Sequence, residues 1–113
     1  MKTVEANAEG DLYEMANLYP RDTGLPMTIW VSPKGNARHD VRIKVCLTPG
    51  DRMDASNTAV LAVRPQPRVV AGQLPSQDLA VVARWIELNR DALVGYWDGL
   101  LSTVEFATRI QKV

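Results

Sequence analysis

The sequence predicts an α+β fold: a small antiparallel sheet of three to four strands (β-β-β), followed by a long amphipathic helix and a short C-terminal helix. Val41, Ile43, Val45 and Leu47 alternate with Arg42, Lys44 and Cys46, the period-two pattern of a strand with one apolar and one mostly charged face. Leu79, Val82, Ile86, Leu93, Trp97 and Leu100 are spaced by three, four or seven positions, which is the apolar stripe of a helix. Strand signals precede Gly72 and helix signals follow it, an order that packs helices on one face of a sheet. A chain of 113 residues supports one core.

Taken in order, residues 1–25 read as an N-terminal arm or short helix and residues 26–113 as a single α+β domain. Leu12, Met15, Ala16 and Tyr19 share one helical face within Ala6–Tyr19, and Pro20 is expected to stop that helix. In Met27–Val31, Met27, Ile29 and Val31 point one way and Thr28 and Trp30 the other. Pro26 and Pro33 bracket this segment, which suits an edge strand. Residues 32–36 carry turn chemistry and lead into the strand Val41–Leu47, so a hairpin is expected. Thr48–Thr58 reads as a loop and Ala59–Val63 as a third strand, ended by Pro65 and Pro67. Arg68–Ala71 is a further short strand.

Ser76 is the expected N-cap of the long helix, with Asp78 opposing the dipole in its first turn. The helix should run for about 20 residues. Asn89-Arg90-Asp91 either lies on its polar side or marks a break where Asp91 caps a second helix, and Gly99 ends the pattern. Gly95 costs about 1 kcal/mol relative to Ala in a helix, so close packing against a strand is expected there. Ser102 or Thr103 can cap a last helix with Glu105 in its first turn and Lys112 in its last. Its apolar contacts would be Val104, Phe106, Ala107 and Ile110.

Thirteen basic and thirteen acidic side chains balance, which excludes a uniformly basic coat. The distribution is uneven. Residues 1–33 carry a net charge of −3, residues 34–68 carry +4 and residues 69–113 carry −1. The lone cysteine, Cys46, cannot form an intramolecular disulfide and suits a reducing compartment. Glu5, Glu9, Asp11 and Glu14 interrupt the N-terminus, so it does not read as a signal peptide. Apolar runs such as Ala59–Val63 fall far short of the ~20 residues of a membrane span. A soluble cytoplasmic protein with no membrane contact is expected.

Ala71-Gly72-Gln73-Leu74-Pro75, followed by Val82, Trp85, Asn89-Arg90-Asp91, Leu93 and Trp97, resembles a family of small bacterial domains of unknown function. Its pattern is G-x-L-P, a helix bearing W, then H/N-R-D-x-L-x-x-x-W. The resemblance spans roughly residues 27–100 and is strongest in 70–98. Upstream, the family reads N-P-P-H-F-H-V, whereas here residues 35–41 keep one histidine, His39, and lose the paired spacing. Members are often encoded beside a second small protein in toxin–antitoxin-like gene pairs, so the resemblance implies a genomic setting rather than a chemistry.

The chemical candidates are few. His39 beside Asp40 is a weak acid–base candidate, since a nucleophile–base set needs Ser, Thr or Cys within reach and Cys46 lies seven residues on. One His and one Cys do not make a closed N/S metal set, so no metal and no cofactor is expected. Asp40-x-Arg42-x-Lys44 lacks the acidic residue that a nuclease strand places two positions before its Lys. The glycines fit no phosphate-loop spacing. Trp85 and Trp97 are read as core.

Trp30 is read on an open strand face near Arg42 and Lys44, with Lys34, Arg38 and Arg64 extending a basic patch. Such a face can meet a phosphate backbone or an acidic protein surface; its bland reading is a solvated outer face that guards an edge. The leading expectation is a non-enzymatic interaction protein of a toxin–antitoxin-like or defence-related module, docking a protein or nucleic acid through this patch. The alternatives are a small RNA-acting toxin enzyme using His39 and a structural homo-oligomer without a ligand.

Overall fold

The structure, a computed structural model, describes residues 4–6, 12–51, 54 and 56–113. Its main sheet is an antiparallel meander of five strands in chain order: β3 (Ala16–Leu18), β4 (Met27–Val31), β5 (Arg42–Pro49), β6 (Thr58–Ala62) and β7 (Arg68–Ala71). The α+β class therefore holds, with five strands rather than three to four. Four helices complete it: α1 (Pro20–Thr23), α2 (Ser76–Leu88), α3 (Arg90–Trp97) and α4 (Thr103–Arg109).

The N-terminal helix expected over Ala6–Tyr19 does not form. Val4–Ala6 (β1) and Leu12–Glu14 (β2) pair antiparallel, and Ala16–Leu18 joins the main sheet; residues 7–11 lie outside the described residues. Pro20 starts α1 instead of stopping a helix, because a helix's first residues need no N–H donor. Leu18 and Leu25 both lie in the core. With β3 alongside it, β4 is an interior strand rather than an edge, and all five of its residues are buried.

Register places the apolar residues in rows. Ala16, Val31, Ile43, Leu61 and Val69 stand side by side across all five strands. Leu18, Ile29, Val45 and Ala59 form the next row. Together with Val82, Trp85 and Ile86 of α2, Leu93, Tyr96 and Trp97 of α3 and Phe106 of α4, these rows make one core cluster. One face of the sheet is therefore roofed by the helices. Within that roof Tyr96 stacks on Phe106 at 4.7 Å between ring centroids, and the Tyr96 hydroxyl meets Thr103 Oγ1 at 2.8 Å, so both buried hydroxyls are satisfied.

The long helix is broken at Asn89, the second of the two arrangements its sequence allows. Asn89, not Asp91, occupies the junction, and its side chain is buried rather than on a polar side. Its Nδ2 donates to the carbonyls of Trp85 (2.9 Å) and Gln111 (3.0 Å), while its Oδ1 accepts the Gln111 N–H at 2.7 Å. The amide thus imitates a strand partner for the C-terminal tail. The Val113 N–H extends this docking to the Thr23 carbonyl at 3.0 Å, over Gly24, where a Cβ would stand 2.8 Å from the Val113 carbonyl oxygen.

The other helix ends follow simple rules. Pro75, rather than Ser76, precedes the first turn of α2, and no side chain caps it. α3 ends in a Schellman motif: Gly99 takes φ +78°, its N–H bonds the Tyr96 carbonyl and the Leu100 N–H bonds the Gly95 carbonyl. Gly95 packs closely, but against the Leu101 side chain of the following turn (3.1 Å from a Cβ placed there) and not against a strand. Of the two caps the sequence allows, Ser102 is the one used: it caps α4 with a reciprocal capping box to Glu105, and the Ser102 N–H holds the Glu105 carboxyl below its ordinary range.

Candidate interaction face

The sheet face turned away from the helices is built by the alternate residues of the same strands. Asn17, Trp30, Lys44, Val60 and Ala71 form one row across it, and Arg42, Ala62 and Arg68 form the next. Arg42, Lys44 and Arg68 are exposed and make no ion pair among the described residues. Arg68 was not foreseen in this group. Its place at the head of β7 puts it on the same face as Arg42 through Ala62, a relation that only the register reveals.

Trp30 stands beside Lys44, as expected, but not on an open face: it is 9% exposed. Around it Thr28 and Cys46 are fully buried, and Asn17 Oδ1 is buried without a hydrogen-bond partner. Thr28 Oγ1 donates to the Gly50 carbonyl at 3.0 Å, and Cys46 Sγ points to the Asp54 carbonyl at 3.9 Å, so Gly50 and Asp54 lie against this end of the face. The outer face therefore has a buried part along β4 and at the Cys46 end of β5, and an exposed cationic part from the other end of β5 to β7. Trp30 belongs to the first and cannot serve as a stacking platform.

Arg64 is engaged within the chain. Its Nε and Nη2 donate to the two Asp40 carboxylate oxygens at 2.8 and 2.9 Å, a bidentate pair. This contact holds the Asp40 carboxyl at about 2, below its ordinary 3.8, with help from the Val41 N–H, and raises Arg64. Lys34 and Arg38 are exposed but ride on the β4–β5 connection, which is tied to the helical layer. The Lys34 N–H bonds the Trp97 carbonyl at 3.0 Å, and the His39 ring stacks on Trp97 at 5.4 Å between centroids. The six residues read as one patch are thus divided: Arg42 and Lys44 on the open face, Lys34 and Arg38 on a loop at the end of α3, Arg64 neutralised and Trp30 covered.

His39 Nδ1 lies 2.7 Å from the Asp40 carbonyl oxygen, which can only accept, so Nδ1 is the donor in that contact and the ring is exposed. Cys46, the one thiol, is buried on the outer sheet face and is not brought to it. Among the described residues no three His, Cys, Asp or Glu side chains stand together as a metal set, and no helix is long and apolar enough to cross a membrane. The chain matches no protein-family model, no curated protein and no solved structure.

Proposed function

We propose that this chain is a non-enzymatic interaction protein that docks an acidic protein surface through Arg42, Lys44 and Arg68. One observation carries the reading: these three exposed cations stand on one face of the sheet with no anionic partner among the described residues. Opposite charges across an interface steer encounter and fix register, and a sheet holds its cations at set spacing. A nucleic-acid backbone is the less favoured partner. Three phosphate contacts give a salt slope of only about −3, and a chain of zero net charge adds no long-range attraction. The covered Trp30 also removes the base-stacking element. The resemblance in residues 70–98 adds a setting, a cytoplasmic bacterial toxin–antitoxin-like or defence-related pair whose second small protein is the partner.

The test is affinity capture from the native cell with the wild-type chain and with R42A/K44A/R68A, each with and without nuclease. A protein held by the wild type, lost by the triple variant and indifferent to nuclease supports the reading. Capture that survives the triple variant refutes it, and capture abolished by nuclease turns the face into a nucleic-acid contact. A second reading, a small RNA-acting toxin, draws on the exposed His39 ring as a proton-transfer group. It requires that His39→Ala abolish growth inhibition by the expressed chain; unchanged inhibition eliminates it.

A further inference from the structure

A cleft of about 340 Å³ opens where the β3–α1 corner meets α4 and the C-terminal tail, away from the cationic sheet face. Its lining includes the apolar residues Leu18, Ala107 and Ile110, together with Tyr19. Arg21, Asp22 and Lys112 complete it. The Asp22 carboxylate is turned to its own chain, where Oδ2 accepts the Tyr19 N–H at 2.9 Å, and it keeps its negative charge. Arg21 is held in place by lying 4.7 Å over the Tyr19 ring, and its one ion pair, to Asp51, is long at 3.5 Å, so most of its five N–H donors are unused. Lys112 has no ion pair among the described residues. Apolar residues lining a cleft with two cations against the one Asp22 carboxylate suit an anion carried on a small apolar body. The size lies at the lower end of small-molecule sites.

We propose that this cleft binds a small organic acid, its apolar body on Leu18, Ala107 and Ile110 and its carboxylate between Arg21 and Lys112. The guanidinium offers two parallel N–H donors to a carboxylate, and the flexible lysine closes the other side. The cleft depends on the tail, because the Asn89–Gln111 bonds fix the chain on which Ile110 and Lys112 are placed.

The experiment is titration of the ¹⁵N-labelled chain with 3-phenylpropionate and, separately, with its uncharged amide. Saturable shifts of the Leu18, Tyr19, Arg21, Ala107 and Lys112 amides are expected with the acid, and about tenfold weaker binding with the amide. R21Q/K112Q should bring the acid down to the amide's affinity. Ala107→Leu, which enlarges a lining side chain and leaves both cations, should weaken acid and amide alike. The amide spectrum of each variant reports its own folding. Shifts that never saturate, equal binding of acid and amide, or an R21Q/K112Q variant that binds the acid as the wild type does would each overturn the proposal.

Discussion

Along β5 two adjacent residues meet opposite surroundings. Ile43 is 1% exposed, between Val31 and Leu61 and beneath the helices, whereas Lys44, on the other side of the strand, faces solvent. The outer face itself is not uniform. Along β4 and at the Cys46 end of β5 it buries Trp30, Thr28 and Cys46, and from the other end of β5 to β7 it carries the exposed Arg42, Lys44 and Arg68. Alternation along a strand decides which side chains share a face. It does not decide whether that face is covered, because cover comes from segments distant in sequence.

The largest expected effect lies on the inner face. Ile43→Ala removes a branched side chain from the middle of a five-residue row and leaves a cavity that rigid strand neighbours fill poorly. A loss of about 2–5 kcal/mol is expected, read as a lower urea midpoint with unchanged slope. A loss below ~1 kcal/mol would mean that the row is loosely packed and that the contrast between the faces is weaker than the register implies.

Next comes the joint between the helical roof and the tail. Asn89→Ala deletes the partner of both the Gln111 N–H and the Gln111 carbonyl. Leaving such groups unpaired costs about 1–3 kcal/mol. Hydrogen exchange should show Gln111 and Val113 losing protection while the β4–β6 amides keep theirs. Equal loss everywhere would show that the tail is not a separate unit.

How far the sequence foretells these features follows from the physics of each signal. β4, β5, β6 and β7 are legible because each has alternation or β-branched residues between Pro or Gly boundaries. β3 is not, because Leu12, Met15, Ala16 and Tyr19 satisfy helical spacing equally well and a three-residue strand is too short to show its own period. The break in the long helix is visible only as an alternative, since the apolar stripe continues across it. The cause, a buried amide paired to backbone 22 residues away, leaves no mark in an apolar pattern. At the candidate face Arg42 and Lys44 follow from alternation alone. The bidentate Arg64–Asp40 contact, the cover over Trp30 and the alignment of Arg68 with Arg42 all depend on chain segments meeting in space.

A smaller effect is expected from that bidentate pair. Asp40 titrates at about 2 in the folded chain against an ordinary 3.8, so the unfolded chain takes up its proton first as the pH falls. The pair's stabilisation is present in full above pH 3.8 and is lost as the pH falls through about 2. Both side chains are well exposed, so solvent screening keeps the effect small. Arg64→Ala should flatten the acid limb of the stability curve between those two values. An unaltered limb would assign it to other carboxylates.

The smallest effect on stability, and the one that separates the faces most sharply, belongs to R42A/K44A/R68A. These side chains flank one small buried residue, Ala62, and make no described ion pair, so removing them should change stability by no more than about 0.5 kcal/mol per site. The sign can favour the variant, because two cations on β5 and a third on β7, across Ala62 of β6, repel one another on one face, a repulsion that salt screens. Thermal unfolding at low and high salt checks this. A wild type that gains more from added salt than the triple variant does is the mark of uncompensated positive charge on that face. Equal gains would mean that the three charges are already balanced within the chain, and an acidic partner would then have nothing there to neutralise.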